Sequence, residues 1–155
     1  MIVYICKKMH EHGQNTDIRN VCIIFSQKIR VMEDIEMDIR ECYEKMGASY
    51  DDVLQRMGSD ALVARFTGSF LSDGSYQMIA DGIEAKDAET AFRGAHTLKG
   101  VCLNLGFQKL YEVSAELTEA LRDRELKGYE EQFAAVQKQY QITVEAIREW
   151  QQEQN

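Results

Sequence analysis

The chain has 155 residues, of which 45% are hydrophobic and 28% charged, and it contains no proline. These values are typical of an ordinary soluble globular protein, exclude two full-sized domains and favour uninterrupted helices. The formal net charge of −8 argues against a nucleic-acid-binding protein, because binding phosphates requires a basic face.

The first predicted element lies near the N-terminus. Apolar residues recur every three or four positions from Ile18 to Met46, after Thr16 as a candidate N-cap, which predicts one face of a long helix. Ile23, Ile24 and Val31 interrupt the other faces, so a poorly structured leader over residues 1–31 is an open alternative. We assign residues 1–43 to an N-terminal extension and residues 44–152 to the main domain.

Two short helices are predicted next, each after a serine cap. SYDDVLQRMG begins at Ser49 and stops at Gly58, with acidic residues in its first turn. SDALVARFTGSFL begins at Ser59. Its predicted buried residues are Leu62, Val63, Phe66, Phe70 and Leu71. Whether this helix continues through SDGS or breaks at Gly74 is left open by the sequence.

Three longer amphipathic helices follow. The first is capped by Asp87 and ends at Gly106, the second runs over FQKLYEVSAELTEALRDREL and stops at Gly128, and the third is YEEQFAAVQKQYQITVEAIREW. The predicted buried residues of the last two are Leu110, Val113, Leu117, Leu121, Phe133, Val136, Tyr140, Val144, Ile147 and Trp150. Short glycine-bearing connections favour antiparallel neighbours, so we predict an all-α, antiparallel up-down four-helix bundle with additional N-terminal helical segments.

The helix between Asp87 and Gly106 has one clear buried face. At about 100° per residue, a single narrow sector holds Ala91, Ala95, Leu98, Cys102 and Leu105. His96 lies more than 90° from the centre of that sector. We therefore expect its ring at the surface of the bundle.

The strip beside His96 has three features that a surface histidine without a function does not need. Gly100 leaves room for a large group near the ring, although glycine in a helix interior costs about 1 kcal/mol relative to alanine. Lys99 places an ammonium within reach of whatever the imidazole holds. Phe92 and Leu103 make the strip partly apolar, which suggests a docking surface together with neighbouring Arg93.

Phosphoryl transfer through a histidine fits these features. A neutral imidazole has a free lone pair that can attack an activated phosphorus, and Lys99 would stabilise the negative charge of the product. The sequence has neither a G-x-x-x-x-G-K-[ST] loop nor a kinase-type glycine loop, so the phosphoryl group would have to come from another protein. We therefore expect a phosphoryl carrier rather than an enzyme.

AHTLKGVCLNLGFQKL, preceded by KDAETAFRG and followed by YEVSAELTEALR, resembles the histidine-containing phosphotransfer (HPt) domain family, whose signature is H-x-x-K-G with a later Leu-Gly stop. The resemblance covers residues 44–150. It implies a four-helix bundle in which His96 is the phosphoacceptor, Lys99 its charge partner and Gly100 the position of close approach. It also implies that Thr118 or Ser114 orients the histidine.

The resemblance further implies a partner. This is the receiver domain of a response regulator or hybrid kinase, which supplies the phosphoaspartate and Mg²⁺, so we expect no cofactor bound by this chain itself. The alternative is a helical interaction module that binds a signalling partner through the same surface without being phosphorylated. We expect a monomer in either case.

Two remaining observations concern metal and compartment. Cys6, His10 and His12 lie close together in CKKMHEH, but the second paired half of a zinc site is absent from the sequence, so we predict no metal site. The four cysteines form no C-x-x-C pair, which favours a reduced setting. The apolar runs are far shorter than the roughly 20 residues of a membrane span. We therefore expect the cytoplasm.

Overall fold

The structure is a computed structural model that describes residues 38–154, and this part of the chain is entirely helical. The N-terminal unit Met1–Glu36 therefore lies outside the description, as does most of the predicted helix that begins after Thr16. The helices are α1 (Ile39–Met46), α2 (Tyr50–Met57), α3 (Asp60–Ser69), α4 (Ser75–Glu84), α5 (Ala88–Leu105), α6 (Gln108–Ala120) and α7 (Glu130–Glu153). A short 3-10 helix, Phe70–Ser72, joins α3 to α4.

Helix α5 lies between its sequence neighbours. It packs on α4 and on α6, α6 packs on α7, and α1 packs on α7. All five residues of the predicted buried sector of α5 are buried, with Ala95, Leu98 and Cys102 fully enclosed. The opposite side of α5 is thereby left at the surface.

The predicted caps of α2 and α5 are confirmed. The Ser49 hydroxyl accepts a hydrogen bond from the Asp52 N–H at 3.4 Å, and the Asp87 carboxylate accepts one from the Thr90 N–H at 3.1 Å. Gly58 and Gly106 end these helices with φ of 72° and 68°, a left-handed conformation that glycine adopts without a Cβ clash.

The N-terminal boundary needs a correction. Asp38 has extended backbone dihedrals, so no single helix runs from Thr16 to Met46. Helix α1 also crosses the predicted division between residues 43 and 44, and it buries Cys42 and Tyr43 completely in the core. The residues from Ile39 onward therefore belong to the main packed unit.

The structure resolves one open question about a helix end and corrects one predicted helix end. The chain breaks before α4, because Asp73 is extended and its carboxylate accepts a hydrogen bond from the Ser75 N–H at 3.0 Å. Helix α6 ends at Ala120, so its predicted continuation to Gly128 is wrong. The chain turns instead at Arg124, whose φ of 59° is left-handed.

Several predicted core positions are more exposed than expected. Leu62 and Phe66 are 40% and 45% exposed, because α3 turns only the side with Val63 and Thr67 toward the core. The half-buried members of the predicted core are Leu71, Val113, Phe133 and Tyr140.

Within residues 38–154, no helix is long and apolar enough to cross a membrane.

The close packing of α4 on α5 explains two glycines. A Cβ on Gly82 would lie 2.4 Å from the Ala91 nitrogen, and one on Gly94 would lie 2.7 Å from the Ile79 nitrogen. These are backbone atoms, which cannot move aside as a flexible side chain does. The two glycines therefore allow the helix backbones to approach and fix where α5 lies.

Candidate functional site

The outward side of α5 carries the residues that the sequence singled out. His96 and Arg93 are exposed, Lys99 and Gly100 are half-buried, and Leu103 is 53% exposed. Neighbouring Ala95 is fully buried, so the helix turns its small side chain inward and presents the imidazole outward. The expected surface position of His96 is confirmed.

Gly100 faces open space. A Cβ built at this position would meet no heavy atom within 4 Å outside its own helix segment, in contrast to Gly94 on the same helix. Packing within the described residues therefore gives no reason for a glycine here. Among residues 38–154, nothing fills the space beside this position, which leaves room for another molecule.

Lys99 lies toward α6. The pKa of the Glu119 carboxyl is lowered, mainly by its hydrogen bond from Arg122 and to a smaller extent by the charge of Lys99. The ammonium is therefore close enough to α6 to act on a carboxylate there. It lies one helical turn from His96, where it can also act on an anion held by the imidazole.

Phe92 is half-buried, and its ring contacts two other side chains. Its ring centroid lies 5.9 Å from that of His96, with 29° between the ring planes. The guanidinium carbon of Arg124 lies 3.3 Å from the centre of the same ring. Sequence reasoning missed Arg124, because it lies beyond α6 and no local pattern connects it to α5.

The predicted orienting residues of α6 are placed differently. Ser114 and Thr118 are 0% and 1% exposed, and the Thr118 hydroxyl donates to the Ser114 carbonyl at 2.7 Å. Neither forms a hydrogen bond to His96 in the described part of the chain. The proton of Thr118 is used within its own helix, so the expected orienting bond is not present.

An apolar groove lies next to the outward side of α5. It has a volume of about 510 Å³ and its lining includes Phe66 of α3 together with Val101 and Asn104 of α5. Leu62, on the same outward side of α3 as Phe66, is also exposed. Exposed apolar side chains thus occur on α3 as well as at Leu103 of α5, which the prediction of buried Leu62 and Phe66 did not anticipate.

Cys6, His10 and His12, for which the sequence analysis predicts no metal site, lie outside the described residues. Across residues 38–154, no group of three histidine, cysteine or carboxylate side chains is placed to hold a metal ion. The chemistry offered by this surface is that of one exposed imidazole with a cation one turn away and free space beside it.

Comparison with known proteins gives one match. A family model described as "Hpt domain" matches residues 32–150, which is most of the chain. No curated protein and no solved structure matches this sequence.

Proposed function

Since the chain belongs to the Hpt domain family, we propose that it is a histidine phosphotransfer protein of a two-component phosphorelay. Hpt domains are phosphocarrier modules that interact with receiver domains, and they are not kinases. In the proposal, His96 accepts a phosphoryl group from the phosphoaspartate of one receiver domain and passes it to another. We further propose an antiparallel four-helix bundle, a monomer and a cytoplasmic location.

The observation that carries the proposal is the open surface at Gly100 beside an exposed His96. A helix interior favours alanine over glycine by about 1 kcal/mol, and the fold does not require glycine at this position. Close approach of a partner to the imidazole gives the missing reason.

The proposed reaction needs one nucleophile from this chain. An imidazole nitrogen of His96 attacks the phosphorus of the aspartyl phosphate with its lone pair, so that an N–P bond forms. The P–O bond to the aspartyl carboxylate breaks, and the carboxylate leaves with the electron pair. The partner supplies Mg²⁺, and the second transfer reverses these steps on another aspartate.

The neighbouring residues support this step. Lys99 stabilises the phosphoryl charge on His96, since a cation near an anion forms strong charge-assisted contacts. Arg93, Leu103 and the accessible part of Phe92 contact the receiver domain. Phe66 and Leu62 extend this docking surface onto α3, because they are exposed and apolar.

The test is transfer from phosphorylated receiver domains to the purified chain with Mg²⁺ present. We expect label that is lost in acid and survives alkali, as an N–P bond requires. The variant His96→Gln should take up no label, while its thermal unfolding stays within about 0.5 kcal/mol of wild type because the side chain is exposed.

The matched control is the double variant His10→Gln/His12→Gln, which removes the other two histidines and should keep the label. If a panel of receiver donors gives no label, yet a receiver domain binds and the binding is lost on changing Leu103 to a charged residue, the alternative interaction module replaces the carrier.

A further inference from the structure

His96 has little to hold its ring in place. Within the described residues it forms no hydrogen bond, and its ring contact is with Phe92 at 5.9 Å. An exposed side chain with two free torsions samples several rotamers unless a neighbour restricts it. Among the described residues, Phe92 is therefore the aromatic neighbour that can restrict the imidazole.

Phe92 is held from a second side. The Arg124 guanidinium carbon lies 3.3 Å from the ring centre, which is a close cation–π contact. This contact covers one face of the ring at its centre. The imidazole is the second neighbour of the same ring, at 5.9 Å between ring centroids.

Arg124 is itself fixed in the turn after α6. Its Nε donates to the Glu89 carboxylate at 2.7 Å, and another guanidinium nitrogen donates to the Arg122 carbonyl. Glu89 lies three residues before Phe92, so both are on one side of α5. The left-handed backbone at Arg124 (φ 59°) turns the chain at this point.

From these contacts we propose that Arg124 is a positioning residue for His96. The guanidinium, anchored by Glu89, fixes the Phe92 ring, and the fixed ring limits the rotation of the imidazole. The kinetic consequence rests on the proposed phosphotransfer function, whereas the arrangement of the rings belongs to the unphosphorylated chain. Phe92 thus has a second role beside docking.

The arrangement also argues against a simple effect of charge. Arg124 is paired with a carboxylate, and its guanidinium lies against the Phe92 ring. In the proposal, its influence on His96 passes through that ring. Removing Phe92 should therefore remove the influence of Arg124 as well.

The experiment is a double-mutant cycle on the full chain with Phe92→Leu, Arg124→Gln and the combined variant. Each single variant should slow transfer from a phosphorylated receiver domain by roughly fivefold, because misplacing a reacting group lowers the rate. The combined variant should be no slower than Phe92→Leu alone. Arg124→Lys should not restore the rate, since an ammonium lacks the planar fork that both stacks on a ring and pairs with a carboxylate.

A second measurement does not depend on phosphotransfer. In the unphosphorylated protein, we expect the ring current of Phe92 to shift the NMR signals of the His96 ring protons, because the two rings are in contact. We expect Arg124→Gln to move these signals most of the way toward their positions in Phe92→Leu. If wild type accepts no phosphoryl group, the proposed function fails, and this measurement still decides the role of Arg124.

Arg40→Gln is the matched control. Arg40 also pairs with a carboxylate, that of Asp51, and lies 4.5 Å from the centre of an aromatic ring, that of Tyr50. This variant should leave both the transfer rate and the His96 signals unchanged. The proposal is overturned if Arg124→Gln leaves the His96 signals in place, or if it slows transfer equally with and without Phe92.

Discussion

Lys99 is the lysine of the H-x-x-K-G motif that begins at His96. It lies one turn along α5 and close enough to α6 to lower the pKa of Glu119, after the larger effect of Arg122. Because Lys99 is half-buried, its field is only partly screened by solvent. The same ammonium is available to an anionic group on His96.

Replacing Lys99 by alanine should slow transfer to His96 and shorten the lifetime of the phosphohistidine. A partly exposed charge pair contributes up to about 1 kcal/mol, which corresponds to roughly a fivefold change. The effect should shrink at high salt, since screening weakens the pair. The measurement is the transfer rate and the decay of label at two salt concentrations.

Lys138→Ala is the control for this prediction, because it removes an exposed lysine on α7 and should change neither quantity. An unchanged rate and lifetime in the Lys99 variant would remove its assigned role.

Helix α5 carries two glycines with opposite surroundings. A Cβ at Gly94 would lie 2.7 Å from the Ile79 nitrogen and 3.0 Å from the Ser75 carbonyl oxygen, both of α4. At Gly100 it would meet open space. One glycine serves the packing of the helix, and the other leaves its outer surface free.

Substituting each glycine by alanine should therefore change stability in opposite directions. Gly94→Ala should destabilise by about 1–3 kcal/mol, because the backbones of α4 and α5 must separate. Gly100→Ala should stabilise by up to about 1 kcal/mol through helix propensity. Urea unfolding of both variants measures these free energies.

At Gly100, the effect on function should be opposite to the effect on stability. We expect Gly100→Ala to slow phosphotransfer despite its greater stability, and Gly100→Gln to slow it further, because each side chain keeps the receiver domain away from His96. Undiminished transfer in Gly100→Gln would contradict the role of close approach.

The whole described unit depends on α1 for its core. The Tyr43 hydroxyl donates to the Leu105 carbonyl at 3.2 Å and lies 2.8 Å from the Thr67 hydroxyl, which joins α1 to α5 and α3. Burial raises the pKa of Tyr43 to about 12, because the core disfavours the charged phenolate. Cys42 and Met46 fill the core beside it.

Two truncated chains test this contribution. A chain of residues 44–155 should be less stable than one of residues 38–155 by about 3 kcal/mol or more, since it loses the buried side chains of Ile39, Cys42 and Tyr43. Thermal and urea unfolding compare the two. Equal stability of the two truncated chains would place the domain boundary at residue 44 after all.

In the full chain, Tyr43→Phe should reduce the free energy of unfolding by about 1–3 kcal/mol, because it leaves buried polar partners unsatisfied.

Local features were predicted well from the sequence. The caps at Ser49 and Asp87 and the outward position of His96 depend on a few neighbouring residues and on the helical period. Family membership was also readable, since H-x-x-K-G and the residues around it lie in one continuous stretch. The roles of Lys99 and Gly100 remain predictions.

Features that depend on distant residues were not predictable in this way. Leu62 and Phe66 repeat with helical spacing, but what covers a helix face depends on which other helices pack against it. The sequence predicts the end of α6 at Gly128 because glycine favours a stop, whereas the chain turns earlier at Arg124. The contact between Arg124 and Phe92 exists only when the turn after α6 lies against α5.

The sequence by itself determined that residues 38–154 are helical, where α2 and α5 begin and end, and which side of α5 presents His96, because capping and periodicity act over a few residues. Only the tertiary structure decided that α1 belongs to the core, that apolar side chains of α3 are exposed, and that Arg124 lies over the ring beside His96. These properties depend on side chains that are far apart in sequence, and only packing brings them together.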